Sequence, residues 1–90
     1  MKECYLLVEN ALGLHARASA KIVNLANQFE SHTEIFLSHE GVEVNAKSIL
    51  GLMMFAAAKG TTLKARAKGP QAVAAIAALQ DLFQRKFDEE

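Results

Sequence analysis

His15 stands between a loop containing Gly13 and the start of a predicted helix, with Arg17 two positions on. A neutral imidazole is a nucleophile near neutral pH, and a guanidinium grips phosphate oxygens through its planar fork of donors. Helix starts favour Ser, Thr, Asp or Asn as the N-cap, and residues 14–17 include none of them. The first-turn amides of Ala16, Arg17 and Ala18 therefore lack a local side-chain acceptor, and the helix dipole favours an anion beside them. A phosphoryl group attached to His15 would be met by those N–H groups and by Arg17. The same residues also fit a histidine that opens a helix and does no chemistry.

Charge distribution bears on that choice. Ten basic and ten acidic residues give a formal net charge of zero, which argues against a general nucleic-acid binder. The zero is an average. Residues 10–29 contain Arg17 and Lys21 and no acid, and residues 44–80 contain Lys47, Lys59, Lys64, Arg66 and Lys68 and no acid. Acids gather at 3–9, 30–43 and 81–90. Charge counting leaves open whether the two acid-free stretches meet in space.

Other candidates carry less. His15, His32 and His39 are spaced 17 and 7 residues apart, on different predicted elements, so no metal site is expected. Lys64, Arg66 and Lys68 share one face of a strand with no interleaved aromatic to stack bases; acids on neighbouring strands are their expected partners. Cys4 is the only cysteine, which excludes an intramolecular disulfide and a Cys-based zinc set. It alternates with Leu6 and Val8 and reads as core. A reducing, cytoplasmic setting follows as the expectation. The apolar run Cys4–Val8 is too short for a signal peptide, and Ile49–Ala58 is far short of the about 20 residues of a membrane span, so a soluble chain is expected.

These residues must be positioned by a small fold. Ninety residues support one domain, 1–90, and the 51% apolar content includes 16 alanines, so the core is thin. Residues 3–9 alternate as a strand, and a helical period with Ala18, Ile22, Leu25 and Phe29 in its stripe runs from about 16 to 28. Residues 33–38 and 42–45 read as a hairpin turning at His39-Glu40-Gly41. A second helix runs from Ser48 to about Ala57, closed by Lys59-Gly60. In 61–68, Leu63, Ala65 and Ala67 point one way and Lys64, Arg66 and Lys68 the other, the pattern of an antiparallel strand with one wet face. Gly69-Pro70 then opens a helix, with Pro70 in its first turn and Val73, Ile76, Leu79 and Phe83 as its buried stripe. The acids at 88–90 oppose the helix dipole at that end, so the terminus is expected to fray. The order βαββαβα, with helices on one face of a sheet, gives a two-layer α+β domain.

The run Gly13-Leu14-His15-Ala16-Arg17, followed by Asn45-Ala46-Lys47-Ser48-Ile49-Leu50-Gly51-Leu52-Met53, strongly resembles the HPr family of phosphocarriers of the phosphoenolpyruvate-dependent sugar phosphotransferase system. The resemblance covers the whole chain, including the Lys59-Gly60-Thr61 and Gly69-Pro70 turns. It implies an open-faced β-sandwich, a four-stranded antiparallel sheet with three helices on one face. It implies phosphorylation of His15 on Nδ1, assisted by Arg17, with the phosphoryl group received from enzyme I and passed to enzyme IIA components. The carrier would need no cofactor or metal and would act as a monomer rather than as a turnover enzyme.

By the same resemblance, Ala20, Ile49, Leu50 and Met53 match the partner-docking patch, although a short amphipathic helix also needs some apolar residues buried. Ser48 matches a serine modified by HPr kinase/phosphorylase in many members; phosphate there would add negative charge beside the docking surface. Ser48 equally serves as a plain helix start. Ala18 stands where the family usually has proline. The helix should persist, at about 0.4–1 kcal/mol of stability through greater unfolded-state freedom. A nitrogen-type or truncated phosphotransferase regulatory module, without sugar transport, is the alternative within the family.

Overall fold

Four strands form a single antiparallel sheet in the computed structural model, which describes residues 1–89. The elements are β1 (Lys2–Leu7), α1 (Ala16–Ala26), β2 (Glu34–His39), β3 (Val42–Asn45), α2 (Ile49–Met54), β4 (Thr62–Lys68) and α3 (Ala72–Gln84), then a short turn at Lys86–Asp88. The sheet order is β1-β4-β2-β3, so the late strand β4 lies between β1 and β2. This is the βαββαβα order that the hydropathy periods predict.

The alternation in β4 explains its central place. Leu63, Ala65 and Ala67 are fully buried, opposite Leu6 and Cys4 on β1 and Leu37 and Ile35 on β2. Three helices cover this face. Val8, Ile22, Leu52, Leu79 and Phe83 complete one contiguous core. Cys4 is half-buried against that core, and burial pushes its thiol pKa up.

The other face is wet. Lys64 faces Glu3, Lys68 faces Glu34, and Arg66 makes a two-pronged pair with Glu43 at 2.8 and 3.1 Å. The aromatic missing within β4 is supplied by β2, since Arg66 also lies 4.9 Å above the Phe36 ring.

Several boundaries move. The β2–β3 hairpin turns on Glu40 and Gly41 alone, with φ of 51° and 83°, and His39 belongs to the strand. Positive φ at both turn positions is what a two-residue hairpin needs to match the strand twist. Helix α2 stops at Met54 because Ala56 adopts a left-handed φ of 50°. Pro70 lies two residues ahead of α3 instead of in its first turn, and Thr33 Oγ1 accepts the N–H of Gln71 at 3.0 Å.

The buried stripe of α3 is Ala72, Ala75, Ile76, Leu79, Leu82 and Phe83, whereas Val73 is 64% exposed. At about 100° per residue, Val73 lies a quarter-turn from the line through Ala72, Ile76 and Phe83. The small alanines, and not the larger valine, face the sheet.

The C-terminus departs most from expectation. Residues 85–89 do not fray. Lys86, Phe87 and Asp88 take left-handed φ values of 55°, 56° and 60°, reversing the chain after α3. A left-handed conformation costs roughly 1–2 kcal/mol per L-residue. The turn is retained because Phe87 is fully buried, its ring 4.8 Å from that of Phe83. Arg85 braces it from outside, pairing with Asp81 at 2.8 Å and Asp88 at 2.7 Å. Glu90 lies outside the described residues.

Candidate functional site

The loop between β1 and α1 is knitted to itself and to the α2–β4 connection. The Gly13 N–H donates to Asn10 O at 3.2 Å, and the Leu14 N–H to Ala57 O at 2.9 Å. Gly13 has φ +67°, and a Cβ on it would lie 2.3 Å from Ala57 O. Only a glycine permits this approach of the two chain segments. The loop delivers His15 to the head of α1 with an extended backbone, φ −75° and ψ 179°. Its carbonyl accepts the first helical N–H, from Ser19, at 2.9 Å.

His15 is thus the N-cap of α1, and its own ring performs the capping. The Arg17 N–H donates to Nδ1 at 3.2 Å. Nδ1 therefore presents a lone pair toward the helix start, an orientation that Ser or Asp at this position would not create. Helix capping and the nucleophile reading are compatible, since the same lone pair accepts the amide and can attack an electrophile.

Nε2 has a partner that the sequence did not advertise. It meets the carboxylate of Glu89. The other oxygen of that carboxylate accepts from Asn10 Nδ2 at 2.9 Å, and the same Asn10 amide donates to Gly13 O at 2.8 Å. Asn10 is fully buried, and its Oδ1 has no hydrogen-bond partner among the described residues. The side chains of His15 and Glu89 are only 26% and 12% exposed. Burial works against the charge of Glu89. The Asn10 and His15 hydrogen bonds outweigh it, with a smaller contribution from Lys21, and hold the carboxyl below its ordinary value of 4.5. Lys21, on α1, donates to the Phe87 carbonyl and ties the tail to the same helix.

A local signal existed for Asn10, since Asn side chains readily bond nearby backbone in turns. For Glu89 the only hint was Phe87, an apolar residue inside the charged run Arg85–Glu90.

Ala16 and Arg17 are exposed, and Ala18 is fully buried within α1, which forms without the proline. Arg17 makes no ion pair among the described residues. Helix α2 packs beside α1. It turns only Leu52 fully inward, leaving Ile49, Leu50, Met53 and Met54 exposed, Leu50 at 69%. Leu12, in the histidine loop, is exposed as well, and Ala20 is half-buried. Ser48 caps α2, its Oγ accepting from the Gly51 N–H at 3.0 Å.

The cations of β4 do not join the histidine site. Lys64, Arg66 and Lys68 project from the wet face of the sheet, each on an acid. His32 pairs weakly with Glu30, and His39 stands edge-on to Phe55 with ring centroids 6.3 Å apart. No three His, Cys, Asp or Glu side chains among the described residues group as a metal-ligand set. No described helix is long and apolar enough to cross a membrane.

A glycine-dependent loop thus presents an imidazole at a helix N-terminus beside an apolar shelf, on an open-faced βαββαβα sandwich. That combination defines a small phosphocarrier-type domain. Residues 2–85 match the family model described as "PTS HPr component phosphorylation site". A phosphocarrier protein HPr from Xylella fastidiosa is 48% identical over 90 residues, covering 100% of this chain and 99% of that protein. The phosphocarrier protein NPr of Escherichia coli is 37% identical over 83 residues, 92% of this chain and 91% of its own. The crystal structure of HPr-C-His from Thermoanaerobacter tengcongensis superposes with a TM-score of 0.93 at 40% identity, covering 100% of this chain and 99% of that one. The chain belongs to the HPr family of the phosphotransferase system and is a phosphocarrier. Its greater identity to HPr than to NPr does not favour the nitrogen-type alternative.

Proposed function

We propose that this protein carries a phosphoryl group on Nδ1 of His15, receiving it from phospho-enzyme I and delivering it to enzyme IIA components of the sugar phosphotransferase system. The observation that carries the reading is the direction of the Nδ1 lone pair, which faces the N–H of Arg17 at the head of α1. Attack on phosphorus uses that lone pair. The released Arg17 N–H, its first-turn neighbours and the Arg17 guanidinium are then free to receive the phosphoryl oxygens. In-line phosphoryl transfer asks the protein for little beyond positioning and charge neutralisation.

Ile49, Leu50 and Met53, with Ala20, supply the apolar contact on which the larger partners seat. The exposure of Ile49, Leu50 and Met53 supports docking over core packing. Ser48, capping the helix that carries this shelf, is the regulatory position. A phosphate on its Oγ would place about two negative charges at the docking surface and oppose enzyme I. The cytoplasm, where phosphoenolpyruvate is generated, is the expected compartment.

Incubation with enzyme I and phosphoenolpyruvate tests the reading. The expected product is an acid-labile, base-stable phosphate, absent in His15→Ala. An unlabelled chain, or a label that survives His15→Ala, overturns it.

A further inference from the structure

We propose that Glu89, anchored by Asn10, is a positioning residue that holds the proton on Nε2 of His15, so that Nδ1 alone presents the lone pair through both transfer steps. The inference rests on the carrier reading and names a residue for it outside the histidine loop.

An ionised carboxylate only accepts hydrogen bonds, so the Nε2 that meets Glu89 must carry hydrogen. At the other nitrogen, the Arg17 amide only donates, so Nδ1 must be bare. Two independent contacts thus select the same tautomer of a ring that otherwise samples both. Asn10 donates one N–H to Gly13 O and the other to Glu89. The loop that carries the histidine and the tail that carries the carboxylate are fixed in one frame. The carboxylate is brought there by the left-handed turn at residues 86–88, held by buried Phe87 and by Lys21.

The chemistry balances without solvent protons. The nitrogen–phosphorus bond of the donor phosphohistidine breaks, and its electron pair stays on the donor nitrogen. The Nδ1 lone pair forms the new nitrogen–phosphorus bond. Nε2 keeps its proton, and the resulting phosphoimidazolium faces the negative Glu89. On delivery the bond pair returns to Nδ1, leaving a neutral imidazole. Had Nε2 lost its proton, the leaving group would be an imidazolate, a far poorer one. An acid that orients a catalytic histidine by its second nitrogen plays the same part in hydrolase triads.

Ring 15N spectra of His15 and rates of phosphorylation by enzyme I, in the intact chain, Glu89→Ala and Glu89→Gln, decide the matter. At a pH where the ring carries one proton, the intact chain is expected to show a protonated Nε2 and a bare Nδ1. Glu89→Ala should mix the tautomers and slow phosphorylation roughly 10- to 100-fold, the range for lost orienting partners. Glu89→Gln, nearly isosteric, keeps one acceptor for Nε2–H and gives up the hydrogen bond that the second carboxylate oxygen accepts from Asn10. It should retain the tautomer while losing the charge that favours the phosphoimidazolium, giving an intermediate rate. The Phe87 amide signal reports whether the tail stays docked in each variant. Unchanged spectra and rate in Glu89→Ala overturn the proposal, as does faster phosphorylation, which would make the tail a gate. Failure of the carrier reading is distinguishable, because then the intact chain takes no label while its tautomer remains measurable.

Discussion

Phe87→Ala tests whether one buried ring supports the whole C-terminal arrangement. The side chain is fully buried against Phe83. Truncating a buried Phe in a rigid core costs about 3–5 kcal/mol. This residue is near the chain end, so the tail has an alternative to enclosing a cavity: it can release. Release abolishes three left-handed residues, together strained by about 3 kcal/mol at the lower limit of roughly 1 kcal/mol each. Against that relief stand the lost burial of the Phe87 ring, about 3 kcal/mol, and the lost hydrogen bonds of Lys21 and Asn10 to the tail, at about 1 kcal/mol each. The net expectation is a loss of about 2 kcal/mol. At about 4–8 °C per kcal/mol for a domain of this size, the midpoint of thermal unfolding should fall by about 8–16 °C. Urea unfolding measures the same loss as a lowered midpoint at nearly constant slope. The His15 ring signals should move at the same time, because Glu89 departs with the tail. A loss below about 0.5 kcal/mol with unmoved His15 signals would refute the reasoning, because Phe87 would then be neither packed nor pinning.

Gly13→Ala should cost about 1–3 kcal/mol in urea unfolding, since the new Cβ meets Ala57 O at 2.3 Å from a left-handed backbone; phosphate acceptance should fall with it as the loop shifts. Ser48→Ala should lose about 1 kcal/mol through the missing cap, whereas Ser48→Asp keeps an acceptor for the Gly51 N–H. Slower transfer from enzyme I in Ser48→Asp, with stability preserved, isolates the charge effect, and a normal rate there removes the electrostatic account. The depressed Glu89 pKa contributes stability that is present above the ordinary glutamate value of 4.5 and lost as pH falls through the lower folded value. Acid unfolding followed by far-ultraviolet circular dichroism should therefore be less pH-dependent below 4.5 in Glu89→Gln.

Local patterning carried far. The two-residue period of β4 placed Leu63, Ala65 and Ala67 in the core and three cations on the wet face, because strand side chains alternate whatever surrounds them. In α3, Ile76, Leu79 and Phe83 were legible, but Val73 was misplaced. A helix rich in alanine has a weakly marked apolar face, and the sheet chose the alanines. At the site, His15, Arg17 and Ser48 could be read as helix starts because capping is a local event. What was read as missing at residues 14–17, a side-chain cap, is supplied by the His15 ring itself.

The sequence by itself determined the element order, the histidine proposed as nucleophile and the helix that presents it, since each depends on residues a few positions apart. Only the tertiary structure decided what faces the second ring nitrogen. Glu89 lies 74 residues from His15. The two meet because β4 inserts between β1 and β2, α3 packs across the sheet, and a left-handed turn on buried Phe87 sends the chain back toward α1. Long-range packing of that kind leaves no period in the sequence. For the same reason the three β4 cations end on the opposite face of the sheet, and the charge that meets Nε2 is an acid.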